Sequence, residues 1–360
     1  MIELIIIILI LLFFIINILL LYSLKRFPKH NYSLAQKLNF SIIIAAKNEE
    51  ENLPGLINSL KSLNYPQEKF EIILVDDNST DNTLKVANEL TRDIDNFYAY
   101  KITGKKLPGK KGALTFGINK AKNPFIMITD ADCLVNSNWL NIYSGYFSNE
   151  YDLLFGIAPF KQSNLLVNKI SCFENLRSSI LTFSAAQLKI PYSASARNFG
   201  FRKSSFEKIN GYENTAETLS GDDDLLLREA VKNKFKIRAI IDKEASVLSS
   251  TKNTFKEYFN QKSRHTKTSF HYILRHKLFL GSWHILNLFF LLSVFLFFLN
   301  PIFRWLFIIK ILIDILIISS IQKKFSYNFN IFEIFYLQIL YEIFIIINFL
   351  SAVFRKDKWA

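Results

Sequence analysis

The chain has 360 residues, enough for one large domain or two ordinary ones. Half of them are apolar, and 44 Lys and Arg against 31 Asp and Glu leave a net charge of +13, which points to nucleic acid or anionic lipid as a partner. Two cysteines, Cys133 and Cys172, exclude a disulfide framework and fit a reducing compartment.

Leu4 to Tyr22 is apolar except for Asn17 and is long enough to cross a bilayer. It lacks the basic start and the small-residue cleavage site of a signal peptide, so residues 1–24 are expected to be a retained anchor. Lys25, Arg26 and Lys29 follow, and the positive-inside rule places the next segment in the cytoplasm. From about residue 38 to 270, strand-like and helix-like patterns alternate. Phe40 to Ala46, Phe70 to Val75, Phe97 to Ile102 and Pro124 to Thr129 read as near-continuous apolar strands. A helix-like stretch from Glu50 to Leu63 and a helix opening near Ser79–Asp81 lie between them. This predicts an α/β domain with a buried, mostly parallel sheet, whose ligands sit beyond the carboxyl ends of the strands.

Between Lys232 and Lys277, twelve Lys and Arg face three Asp and Glu, directly before the next apolar segment. That position favours lipid headgroups over nucleic acid. Leu278 to Leu299, Ile302 to Ile321 and Ile331 to Phe354 follow as apolar runs, giving an expected membrane region of two to three helices over 278–354. Lys310 and Asp314, four residues apart in the middle run, are placed to neutralise each other. Lys323 and Lys324 suit a cytoplasmic loop, whereas three crossings would leave Arg355, Lys356 and Lys358 outside. The topology of these runs stays open.

The strand ends carry the chemistry. The first strand runs into Lys47-Asn48-Glu49-Glu50, the second into Asp76 and Asp77, and a later one into Asp130-Ala131-Asp132. Side chains two apart on a strand point the same way, so Asp130 and Asp132 suit either a divalent cation or an ordinary acidic turn. Crowding of carboxylates at one sheet edge calls for cations or hydrogen-bond donors. The loop "GKKLPGKKGAL", Gly104 to Leu114, enters a helix with glycine and lysine; Lys110 or Lys111 could hold a phosphate there, although the P-loop spacing is absent.

"SIIIAAKNEEENL", "ILVDDNSTDNT", "GKKGAL" and "ITDADCLV", in this order, resemble the nucleotide-binding half of family 2 glycosyltransferases of GT-A fold, related to the cellulose, chitin and hyaluronan synthases. The resemblance implies a nucleotide site at Ala46, Glu49, Asp76, Asp77, Lys110 and Asp130. In it, Asp77 meets the base, and Asp130 and Asp132 engage ribose and a Mg²⁺ or Mn²⁺ on the diphosphate. Downstream, "SARNFGFRKSSFEKINGY" resembles the segment following the acceptor loop, with Asn198 in the acceptor region.

"SGDDDLLLREA" sets Asp222, Asp223 and Asp224 at a helix start, where the macrodipole also favours negative charge. By its likeness to the family's base segment, Asp223 is the expected general base with Asp222 beside it, and the register between the two is open by one residue. "QKSRH" resembles the Q-x-x-R-W motif. Gln261 and Arg264 are thereby implied in catalysis, and His265 stands where processive enzymes carry an acceptor-stacking Trp. The sequence thus predicts a membrane-anchored, inverting, metal-dependent glycosyltransferase. It would use a nucleotide-sugar, expected to be a UDP-sugar, and a lipid or glycan acceptor, with no nucleic-acid partner. A processive polysaccharide synthase and an inactive membrane scaffold are the alternatives.

Overall fold

The computed structural model describes residues 2–27 and 36–354. Lys29, Arg355, Lys356 and Lys358, used above for topology, lie outside them. The described residues divide into two compact units: residues 2–27, 162–190 and 251–354 form one, and 36–161 with 191–250 form the other. In this division 162–190 and 251–270 group with the apolar helices.

The chain opens with α1 (Ile2–Lys25) of the helical unit. The sheet unit then runs β1 (Phe40–Ala46), α2 (Leu53–Lys61), β2 (Phe70–Asp76), α3 (Thr83–Thr91), β3 (Phe97–Lys101), α4 (Lys110–Lys120), β4 (Phe125–Asp130), β5 (Cys133–Val135), α5 (Trp139–Phe147) and β6 (Leu153–Gly156). After α6 (Leu166–Gln187), which belongs to the helical unit, the sheet unit resumes with β7 (Phe199–Arg202), α7 (Lys203–Lys208), α8 (Asp224–Lys232), β8 (Ile237–Ile240) and β9 (Val247–Ser249).

Seven strands form one sheet in the order β3-β2-β1-β4-β7-β6-β8, and β5 pairs with β9 in a small antiparallel ribbon. The four strands β3, β2, β1 and β4 are mutually parallel, whereas β7 runs antiparallel to both β4 and β6. Strands β1, β2 and β4 are buried along nearly their whole length, as two-sided coverage by helices requires and as their near-continuous apolar sequences foretold. The register decides where the acids go. Ala46 pairs with Asp76, and Ala45 with Asp130, so the carboxyl ends of β2 and β4 finish level on either side of β1.

In the helical unit, α9 (Phe255–Ser269), α10 (Leu274–Leu292), α11 (Ile302–Ile321) and α12 (Ile331–Phe354) complete the set. Glu3–Lys25, Leu274–Leu296 and Ile331–Phe354 are long and apolar enough to cross a membrane by length and composition. Phe13 of α1 stacks on Phe290 of α10 with ring centroids 4.4 Å apart. Among these apolar helices lies a buried ionic cluster. Lys310 Nζ donates to Asp314 Oδ2 at 2.8 Å, to Asn287 Oδ1 at 2.9 Å and to Glu342 Oε1 at 3.3 Å. Arg177 Nη1 of α6 donates to Asp314 Oδ1 at 2.9 Å. Two cations and two carboxylates thus neutralise one another where single charges would be prohibitively costly.

Candidate active site

The edge at the carboxyl ends of β1, β2 and β4 is assembled by polar loops that tie the strand exits together. Asn48 and Asn78 leave β1 and β2 in left-handed backbone conformations, φ 56° and 62°, which asparagine tolerates better than most residues. The Asn48 Oδ1 accepts from the Thr80 N–H at 2.8 Å, and Thr83 Oγ1 accepts from the Glu49 N–H at 2.8 Å. Glu50 and Asp81 are spent in the same way: Glu50 Oε2 accepts from the Asn82 N–H, and Asp81 from the backbone of Thr83 and of Glu50. Ala46 gives its carbonyl to the Asp77 N–H at 2.7 Å, and Glu49 Oε2 accepts from Asn52 Nδ2 at 2.6 Å. Asp76 is buried and accepts from the Ser79 N–H at 3.2 Å.

Lys105, in the loop before α4, and Lys110, its first residue, answer the acids. Lys110 Nζ donates to Asp130 Oδ1 and lies 3.0 Å from Asp222 Oδ2. Burial alone would push its ammonium down, but the Asp130 and Asp222 carboxylates outweigh burial and hold it well above the ordinary lysine range. Lys105 Nζ grips both oxygens of the buried Asp77, at 2.6 and 2.7 Å. Lys111 is fully buried, and its Nζ donates to the carbonyls of Thr215 and Thr218, anchoring the segment before Asp222.

The aspartate trio divides its work. Asp224 Oδ1 accepts from Ser193 Oγ at 2.8 Å and from the Ala194 N–H at 3.0 Å. Asp223 caps α8, its two oxygens taking the N–H groups of Asp224 at 2.7 Å and of Ala196 at 2.8 Å. Burial, then the Asp224 and Asp222 charges, push the Asp223 carboxyl well above the usual range despite those two donors. Asp222 instead faces the Lys110 ammonium.

Asp130 and Asp132 meet the geometric requirement for a shared cation. One carboxylate oxygen from each, together with Cys133 Sγ, lie within 4.8 Å of one another. Burial, and then the two carboxylates, push the Cys133 thiol well above its ordinary range. The two carboxylates are hard oxygen donors, which fit Mg²⁺ or Mn²⁺.

Asn198 is placed inside the unit rather than on its surface. Its Oδ1 accepts from Trp139 Nε1 at 2.9 Å and Tyr143 Oη at 2.7 Å, and its Nδ2 donates to the carbonyls of Ile157 and Ala245, both at 2.8 Å. With 0% exposure and all four bonds inside the core, it positions the strand start of β7. Gln261, Arg264 and His265 lie on α9, in the helical unit. The residue missed by sequence reading is Lys105; the loop offered four lysines, and only their folded positions distinguish them.

Residues 41–209 match the family model described as glycosyl transferase family 2. Over that segment the chain is similar to this family. The β-monoglucosyldiacylglycerol synthase of Nostoc sp. (strain PCC 7120 / SAG 25.82 / UTEX 2576) is 36% identical over 100 residues, which are 28% of this chain and 21% of that protein. The probable glycosyltransferase YdaM of Bacillus subtilis (strain 168) is 26% identical over 212 residues, 57% of this chain and 49% of the relative. The chain therefore spans less than half the length of either. Mannosyltransferase PcManGT from Pyrobaculum calidifontis, solved with GDP-Man and Mn²⁺, superposes with a TM-score of 0.62 at 15% identity, over 99% of this chain and 100% of that one. That likeness is one of fold, and it is the GT-A type expected above.

Proposed function

We propose that this chain is a membrane-anchored, metal-dependent, inverting glycosyltransferase. It moves a sugar from a nucleotide-sugar, expected to be a UDP-sugar, onto a lipid or lipid-linked acceptor at the cytoplasmic membrane face. The observation that carries the reading is the meeting of Asp130 and Asp222 on one ammonium, Lys110, at the sheet edge where Asp76 and Asp77 also end. The name of the Nostoc relative, a glucosyldiacylglycerol synthase, supports a lipid acceptor. The apolar helices support the membrane, with residues 1–24 and 278–354 as its anchors and the sheet unit as the catalytic part.

In this reading Asp77 receives the base, and Asp76, Ala46 and Glu49 shape the nucleotide pocket. Asp223 accepts the proton of the acceptor hydroxyl while that oxygen attacks the anomeric carbon and the bond to the diphosphate breaks, inverting the centre. Its raised proton affinity suits a base working near neutral pH. Lys110 offsets charge developing on the leaving diphosphate, and Asp222 holds that ammonium in place. Asp130 and Asp132 would hold Mg²⁺ or Mn²⁺, which when bound supplies Lewis-acid stabilisation of the leaving group.

The test is nucleoside diphosphate release by detergent-purified protein, offered UDP-, GDP- and dTDP-sugars with membrane lipid extract. Each is run with Mn²⁺ or Mg²⁺ against chelator. Metal-dependent release from one donor, lost in Asp223→Asn with nucleotide binding retained, is the expected result. Absence of both release and nucleotide binding across the panel would replace this reading with an inactive scaffold.

A further inference from the structure

Lys105 has a built position. Its Nζ uses three donors on three acceptors, Asp77 Oδ1 at 2.6 Å, Asp77 Oδ2 at 2.7 Å and the Gly109 carbonyl at 2.9 Å, which is the full capacity of an ammonium. The stem is seated as well. A Cβ added at Gly112 would stand 2.7 Å from Lys105 Cδ, 2.8 Å from Lys105 Cβ and 2.5 Å from the Leu107 carbonyl. Gly112 lies inside α4, where glycine is a poor helix former, and its missing side chain leaves the room in which Lys105 and the loop fold back.

On the reading above, Asp77 is the carboxylate that meets the nucleoside base, so the contact is a latch across the base site. An incoming base N–H competes with the Lys105 ammonium for Asp77. The same ligand brings a diphosphate, and Lys105 precedes Lys110, the start of α4, by five positions. We propose that Lys105 is an exchange residue. It closes the base site in the free enzyme, is displaced from Asp77 when the nucleotide enters, and then pairs with the diphosphate of that nucleotide. The cation lost by the carboxylate is gained by the phosphates, so a nucleoside without phosphates meets only the closing half of the exchange. Lys105 would thereby make the enzyme select nucleotides over nucleosides without touching the sugar.

The experiment is calorimetry on the purified full chain, titrated with UDP, GDP and dTDP and with uridine, guanosine and thymidine. Wild type is compared with Lys105→Met, which keeps the stem over Gly112 but not the charge, and with Lys105→Arg, which keeps a cation. For the nucleotide that wild type binds, Lys105→Met should bind the parent nucleoside about tenfold more tightly, the diphosphate no more tightly, and Lys105→Arg should restore most of the preference. Equal tightening of both ligands, equal weakening of both, or no change would overturn the exchange. Should Lys105→Met fail to fold, Lys105→Gln carries the same expectation. Failure of wild type to bind any of the diphosphates would count against the nucleotide-sugar reading itself, an outcome distinct from those.

Discussion

Lys110 and Asp222 meet at 3.0 Å although one opens α4 and the other precedes α8, so two helix starts from distant parts of the sequence share one charge pair at the sheet edge. The same ammonium serves Asp130 at the end of β4.

Removing that ammonium separates two roles. Lys110→Met leaves Asp130 and Asp222 facing each other without compensation, and in the proposed mechanism the leaving diphosphate loses a cation. Transfer should fall about a hundredfold or more, measured as kcat/KM. Mn²⁺ affinity, read by calorimetry, should rise, because a positive charge beside the Asp130–Asp132 pair has gone. A fall in both would show that Lys110 organises the metal site rather than competing for it.

The raised Asp223 carboxyl gives activity and stability opposite slopes with pH. Its proton is bound more tightly in the fold than in the unfolded chain. Its contribution to stability is therefore complete below the ordinary carboxylate value of about 4 and is lost as pH rises through the folded value. A base must be ionised, so transfer climbs across that same window. Profiles of kcat/KM and of melting temperature against pH should cross, and Asp223→Asn should flatten this part of the stability profile while abolishing transfer. An acid limb at the ordinary carboxylate value would remove the assignment.

Asn198 should matter to stability before it matters to chemistry. Asn198→Ala strands the Trp139 and Tyr143 donors and two carbonyls inside the core, a loss of about 3 kcal/mol or more. Gly156→Ala should do comparable harm, since its Cβ would stand 2.4 Å from Asn198 Nδ2 and 2.8 Å from Tyr143 Oη. Melting temperatures in detergent report both. A variant of normal stability with a raised acceptor KM would instead make Asn198 an acceptor residue.

In the helical unit, charge balance should outweigh any single contact. Lys310→Met leaves Asp314 and Glu342 with Arg177 alone and should destabilise by about 3–5 kcal/mol. Adding Glu342→Gln restores neutrality, and the double variant should melt above the single one. Additive losses would argue for packing rather than charge as the cause.

Much of this architecture was readable beforehand, for a physical reason. Phe40–Ala46 has its expected bounds because a nearly continuous apolar run is limited by the polar residues at its ends, and Ile302–Ile321 and Ile331–Phe354 keep theirs although Arg304, Lys310, Asp314, Glu333 and Glu342 interrupt them. The start of α3 falls later than expected, at Thr83, because Ser79, Thr80 and Asp81 are used in tying the exits of β1 and β2. Helix α6 escaped notice because it is buried on several sides and shows no amphipathic period. The acids of the site announced themselves by clustering at strand ends. Their partners did not: which lysine of "GKKLPGKKG" reaches which carboxylate is decided by loop closure, and Asn198 looks identical in sequence whether it faces a ligand or the core.

The pairing of Arg177 with Asp314 also joins two residues made far apart in time. Arg177 emerges from the ribosome with the first half of the chain, long before α11 supplies Asp314, and β7 and β8 are made in the interval. Until α11 arrives, the guanidinium has no carboxylate of this cluster to neutralise it and must stay hydrated. The helical unit is therefore completed only after β7 and β8 have been made, and a chain ending before Asp314 would display an uncompensated arginine to the quality-control machinery of the cell.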